Sequence, residues 1–154
     1  MMILTDNGKL DGHCVRHVMA YKQPSNLKIV AGNDLMLQHG KLVLTDAETI
    51  AEYLDEVIPH PLLLPVYPAG RAVIRNLMQC WRDVSLAGLL KDTPYLYSCQ
   101  PTLLDIWVIN TIIISRSAIS QKHTVKEAEW IRRMLDSREY KLSRSTDGNL
   151  YEPR

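Results

Sequence analysis

The stretch Tyr53-Leu54-Asp55-Glu56-Val57-Ile58-Pro59-His60-Pro61-Leu62-Leu63-Leu64-Pro65-Val66-Tyr67-Pro68 separates two parts of the chain with different periodicities. Pro59, Pro61, Pro65 and Pro68 all fall within it. Each proline fixes its own φ, removes a backbone donor and pushes the preceding residue toward extended geometry, so neither a regular helix nor a central strand runs through here. Residues 59–68 therefore read as a fixed, extended connector. It divides a first domain at 1–58 from a small all-helical domain at 69–142, with a polar tail at 143–154.

On the N-terminal side the elements are short and alternate. Residues 2–5 form an apolar run stopped by Asp6-Asn7-Gly8, as a strand ended by a turn would be. Asp11 is placed to cap a helix whose apolar positions are Cys14, Val15, Val18 and Met19, with Pro24 and Ser25 ending it. A second apolar run at 27–30 follows, then a hairpin over 35–44 with His39-Gly40 as its turn. Thr45 and Glu48 have the spacing of a capping box before Ala47, Ile50, Ala51, Leu54, Val57 and Ile58. Strand, helix, strand, hairpin, helix is the order of a compressed thioredoxin-like domain.

On the C-terminal side the periodicity is helical only. Pro68 suits a first turn, and Val73, Leu77, Trp81 and Val84 mark one face of a helix running to about residue 90. Thr102 and Asp105 have capping-box spacing before a helix at 106–114 that is hydrophobic nearly all round, the expected centre of a bundle. Thr124 and Glu127 cap a last helix to about residue 135.

Composition narrows the function classes. The chain has 154 residues, with 18 Lys+Arg against 17 Asp+Glu, a net charge of +1 that offers no bulk attraction to nucleic acid or anionic lipid. Three scattered cysteines, Cys14, Cys80 and Cys99, fit reduced thiols of a cytoplasmic protein better than a disulfide framework. The start MMILTDNGKL has neither the basic residues nor the apolar run of a signal peptide, and residues 106–114 are too short to span a bilayer, so no membrane partner is expected.

The order of domains resembles the glutathione transferase fold, and residues 53–68 are similar to the stringent starvation protein A family, a bacterial, non-enzymatic branch of that fold which binds RNA polymerase. Three further stretches agree: His13-Cys14-Val15-Arg16-His17-Val18-Met19-Ala20-Tyr21-Lys22, Pro94-Tyr95-Leu96-Tyr97-Ser98 and Thr102-Leu103-Leu104-Asp105. The resemblance implies a glutathione-transferase-like fold in shortened form: a thioredoxin-like domain lacking its second helix after Val30, and an all-helical domain lacking a long hairpin between about Leu90 and Pro94. It implies a bacterial or phage chain, cytoplasmic and homodimeric, whose dimer forms by the first-domain edge against the helix beginning near Ala69.

Against the needs of a glutathione transferase, three positions have changed. The thiolate-stabilising residue falls near Lys9, the cis-proline position is Leu35, and the acidic-Ser pair reads Asp46-Ala47. Without the hydroxyl and the proline, thiol conjugation is not expected. Cys14, inside a helical pattern and without a CxxC partner, reads as a buried structural thiol. His13, Cys14 and His17 invite a metal reading, since histidines at i and i+4 share a helix face. No acidic third ligand stands at the usual offset and Arg16 intervenes, so a surface histidine pair, with no metal and no cofactor, is expected.

The residues that point to binding are Pro59, His60, Pro61 and Tyr67. The two prolines hold His60 in extended geometry and present its ring, and a prefixed loop loses little entropy on docking. Tyr67 adds an amphipathic aromatic of the kind enriched at interface hot spots. The resemblance implies that these residues contact the sigma subunit of RNA polymerase holoenzyme or the adjacent core surface. The bland alternative is a rigid connector, which accounts for Pro59 and Pro65 but not for an imidazole. Asp46, Glu48, Glu52, Asp55 and Glu56 read as a solvated acidic helix face able to steer a basic partner. The bases Arg132, Arg133, Arg138, Lys141 and Arg144 are interleaved with acids, so DNA is reached only indirectly, through polymerase. The expected function is regulation of transcription by protein contact. The alternatives are a minimal glutathione-dependent transferase and a decoy that dimerises with a full-length relative.

Overall fold

The computed structural model describes residues 1–115 and 123–145. Its described residues divide into two compact units, one made of residues 1–61 with 138–145, the other of residues 62–115 with 123–137.

The first unit contains β1 (Met2–Asp6), α1 (Leu10–Lys22), β2 (Leu27–Ala31), β3 (Met36–His39), β4 (Leu42–Leu44), α2 (Ala47–Val57) and α7 (Arg138–Arg144). The sheet order is β2-β1-β3-β4, with β1 parallel to β2 and antiparallel to β3, and β3 antiparallel to β4. Four residues, 32–35, join β2 to β3, so the second helix of a thioredoxin-like domain is absent, as expected. Cys14, Val15, Val18 and Met19 are fully buried on α1, and Ile50, Ala51 and Leu54 on α2. This is the reduced thioredoxin-like half of a glutathione-transferase-like fold.

Several local expectations shift. Asp11 lies inside the first turn of α1 and takes a hydrogen bond from Asn7; the N-cap is Lys9, with no side-chain cap. Gln23, at φ 45°, closes α1 in the left-handed region before Pro24. His39 pairs with Leu42, so the hairpin turn is Gly40-Lys41, with Gly40 supplying a φ of +60°. Asp46 rather than Thr45 caps α2, because its carboxylate accepts from both the backbone N and Oγ1 of Thr49, at 2.8 and 2.7 Å.

The second unit contains α3 (Pro68–Cys80), a 3-10 turn (Trp81–Asp83), α4 (Leu86–Leu89), α5 (Leu103–Ser115) and α6 (Val125–Asp136). The expected single helix to residue 90 is broken at Val84-Ser85. Its buried stripe is Gly70, Ile74 and Met78, one position around from the expected face, and Val73 is exposed. In α5, residues 103–106 and 108–112 are buried, and its polar residues bond within the helix: Asn110 to the Ile106 carbonyl and Thr111 to that of Trp107. The capping box of α6 forms as expected, from Thr124 and Glu127.

Asp105 organises this unit. Fully buried, its carboxylate accepts from the backbone N of Leu96 and of Thr102 (both 2.9 Å), from Thr102 Oγ1 (3.3 Å) and from Trp130 Nε1 (2.8 Å). Burial nevertheless holds its pKa above the ordinary carboxylate value, against the lowering effect of those donors. One side chain thus ties the 91–102 loop, the start of α5 and the middle of α6 together.

The expected boundaries, a helical domain to 142 and a tail from 143, differ from what the chain does. After α6 it leaves the second unit, and α7 returns to pack on α1. Residues 146–154 of the expected polar tail lie outside the described residues. No helix among the described residues is long and apolar enough to cross a membrane. Asp105→Asn, which turns one acceptor oxygen into a donor facing donors, is expected to lower unfolding free energy by at least about 2 kcal/mol in denaturant titrations.

Candidate functional site

The loop from Ile58 to Pro61 is held from beneath by Lys22, the last residue of α1. Its side chain is fully buried, and an ammonium out of water requires a counter-charge and three acceptors. Asp55 on α2 supplies the charge, its Oδ1 2.6 Å from Nζ and itself buried. The Ile58 carbonyl accepts at 2.8 Å, and the Pro61 carbonyl accepts a further short bond. Carbonyls on both sides of Pro59-His60 are therefore fixed on one cation. Pro59, His60 and Pro61 are exposed above it, and the His60–Pro61 peptide is cis.

Nothing local in the sequence marks Lys22 and Asp55 as a pair. Asp55 instead reads there as one of five acids on a solvated face, and the structure corrects that placement. Only the helical position of Lys22 at the end of an apolar stripe hints that it reaches inward; its partners lie 33 to 39 residues away.

Tyr67 belongs to the second unit, as N-cap of α3. It is 56% exposed, and its hydroxyl lies 2.7 Å from that of Tyr97. Gly70 makes this ring position possible: a Cβ there would come within 2.7 Å of the Tyr67 ring and 2.9 Å of Pro65. Leu62 (43% exposed) and Val66 (76%) add apolar surface to the same segment, whereas Leu63 and Leu64 are buried and the Leu63 carbonyl accepts from the backbone N of Leu103.

The positions that the transferase comparison singles out look different. Lys9 is exposed at the mouth of α1, where the preceding loop is closed by its own side chains: Asp6 accepts from the Gly8 N, and Asn7 from the Lys9 N. Leu35 is buried before β3, and the Asp46 carboxylate caps α2. Cys14 is buried, and burial raises its thiol pKa, so it stays protonated and unreactive. His17 is buried rather than part of a surface pair, stacked on Tyr21 with Tyr140 at its edge. His13 faces Arg144. Among the described residues no three His, Cys, Asp or Glu side chains are grouped to hold a metal.

No family model matches the chain. It is similar to stringent starvation protein A homologs: that of Haemophilus ducreyi is 31% identical over 113 residues, 61% of this chain and 52% of the relative. That of Pasteurella multocida is 57% identical over 56 residues, 34% and 26% of the two chains. That of Coxiella burnetii is 60% identical over 37 residues, 24% and 18%. The matches thus span from 18% to 52% of the curated relatives' length. In structure the chain is similar to a glutathione S-transferase from Rhodospirillum rubrum, with TM-score 0.79, 19% identity and coverage of 100% of this chain and 97% of that one. It is also similar to a glutathione transferase homolog from Burkholderia with bound glutathione, with TM-score 0.75, 18% identity and coverage of 92% and 95%. The glutathione-transferase-like fold and the resemblance to stringent starvation protein A therefore both hold.

Lys22→Met leaves Asp55 buried without its counter-charge and is expected to cost about 3–5 kcal/mol of unfolding free energy. Lys22→Met with Asp55→Leu removes both charges and is expected to recover a large part of that loss. Urea titrations of the two variants check the pairing.

Proposed function

We propose that this chain regulates transcription by binding RNA polymerase holoenzyme through protein–protein contact, without catalysis. The observation that carries this reading is the exposed His60 on a loop whose flanking carbonyls are fixed on a buried ammonium. A loop ordered in advance spends little conformational entropy on docking. His60 offers an imidazole between two rigid rings, and Tyr67 offers a hydroxylated aromatic in a setting of exposed Leu62 and Val66. The resemblance to stringent starvation protein A supports the choice of partner in this reading, the sigma subunit or the core surface beside it, with Pro59, His60, Pro61 and Tyr67 as the contact residues. DNA is reached only through polymerase, and the regulator acts by stabilising or blocking a polymerase state. A cytoplasmic homodimer is part of the same reading.

Affinity purification of the tagged chain from bacterial lysate is expected to recover polymerase subunits. His60→Ala with Tyr67→Ala should reduce that recovery at least tenfold while shifting the melting temperature by no more than a degree or two. Absence of polymerase from the wild-type eluate, recovery of a full-length relative in its place, or a badly destabilised double variant would each overturn the reading.

The glutathione transferases among its structural neighbours, one with glutathione bound, favour a second reading, a minimal transferase. The chemistry at Lys9, Leu35 and Asp46 weighs against it. Neither a hydroxyl nor a thiol stands at the mouth of α1, the cis-proline position holds leucine, and the surviving acid is engaged by Thr49. Glutathione-agarose is expected to retain none of the protein, and conjugation assays to show no turnover above the uncatalysed rate; clear retention with turnover would establish the enzyme instead.

A further inference from the structure

α7 has only seven residues, four of them charged, and a helix of that length does not persist in water without tertiary support. It packs on α1, where a row of polar and ionisable residues faces it. Arg144 Nη1 lies 3.2 Å from His13 Nδ1. Arg16 Nη2 donates to the Ser145 carbonyl at 2.5 Å, while its Nη1 pairs with Asp6 at 3.1 Å. The His17 ring is stacked on Tyr21, centroids 5.5 Å apart, and meets Tyr140 edge-on at 5.6 Å.

We propose that α7 is a pH-gated strap, held on α1 by the neutral forms of His13 and His17 and released when they take up protons. The chemistry at each contact points the same way. A guanidinium is always charged and only donates, so Arg144 requires His13 Nδ1 as an acceptor. Protonation turns that nitrogen into a donor and sets two cations 3.2 Å apart. His17 is fully buried between aromatic rings, where a cation is costly to desolvate.

Among the described residues, the charged groups around these rings are mostly engaged elsewhere. On β1, Asp6 favours a charged His13, but it is engaged by Arg16 and by the Gly8 N. On α1, Arg16 opposes the His13 cation; Asp11 takes its bonds from Asn7 and Gly12, and Lys22 is bound to Asp55 of α2. On α2, Glu48 acts on Cys14. On α7, Arg144 opposes the His13 cation, and the helix also carries Arg138, Glu139 and Lys141. Burial, then Arg144, lowers the His13 pKa, and burial alone brings that of His17 down to about 3.

The docked state therefore binds fewer protons than the released one between pH 6.5 and 3, and docking weakens as pH falls through that window. With an ordinary value near 6.5 in the released state, His17 alone raises the opening constant of α7 ~30-fold between pH 7.5 and 5.0.

Amide hydrogen exchange on the full chain at those two pH values, corrected for intrinsic rates, tests this. Residues 138–144 are expected to lose ~30-fold in protection, while β1 and α2 keep theirs. Unchanged α7 protection, or loss in parallel with β1 and α2, overturns the proposal. His17→Phe keeps a ring between the two tyrosines and is expected to abolish most of the response; a full response in that variant is a refutation. Should it fail to fold, the ring resonances of wild-type His17 decide: they are expected to show no titration down to pH 5, and an ordinary midpoint near 6.5 overturns the proposal.

Discussion

A buried ammonium tolerates no compromise. Lys22 has left water entirely, and its three donors are used on one carboxylate and two carbonyls, from Asp55, Ile58 and Pro61. The loop it holds has two prolines and so little backbone hydrogen bonding of its own. Proline rings alone would make this loop stiff but would not tell it where to sit. The cation does that, because leaving any of its donors unmet inside the protein costs more than bending the chain toward it. Exposure of His60 follows: with the flanking carbonyls directed inward, the imidazole between them is carried on the outer side of the loop.

The second unit is built on the converse arrangement. There the buried charge-bearing group is Asp105, and the donors come to it from a loop, a helix start and an indole. Both units thus rely on one buried ionisable side chain that gathers backbone from irregular segments, where no helix or strand ladder supplies partners.

Much of the fold was legible from local pattern. The apolar stripe of α1, the capping box of α6, the unbroken hydrophobicity of α5 and the proline segment all report on neighbours within a few turns, and each appears where the periodicity put it. The shifts came where two local solutions compete: Thr45 or Asp46 as the cap of α2, or a face through Val73 or through Ile74 on α3. Propensity hardly separates adjacent positions, whereas the packing surface does. The candidate loop was legible in its residues but not in its foundation, because Asp55 looks the same in sequence whether it faces solvent or a buried lysine.

The sequence alone determined the order of strands and helices over the first 58 residues and the placing of His60 between two rigid rings. These are consequences of covalent geometry and short-range periodicity, which act over a few residues. Tertiary structure alone decided that Lys22 and Asp55 meet beneath the loop, that His13 and His17 face a returning helix rather than solvent, and that α7 joins the first unit. Those outcomes depend on groups 33 to more than a hundred residues apart being desolvated together, and no local pattern records which distant group will share a buried charge.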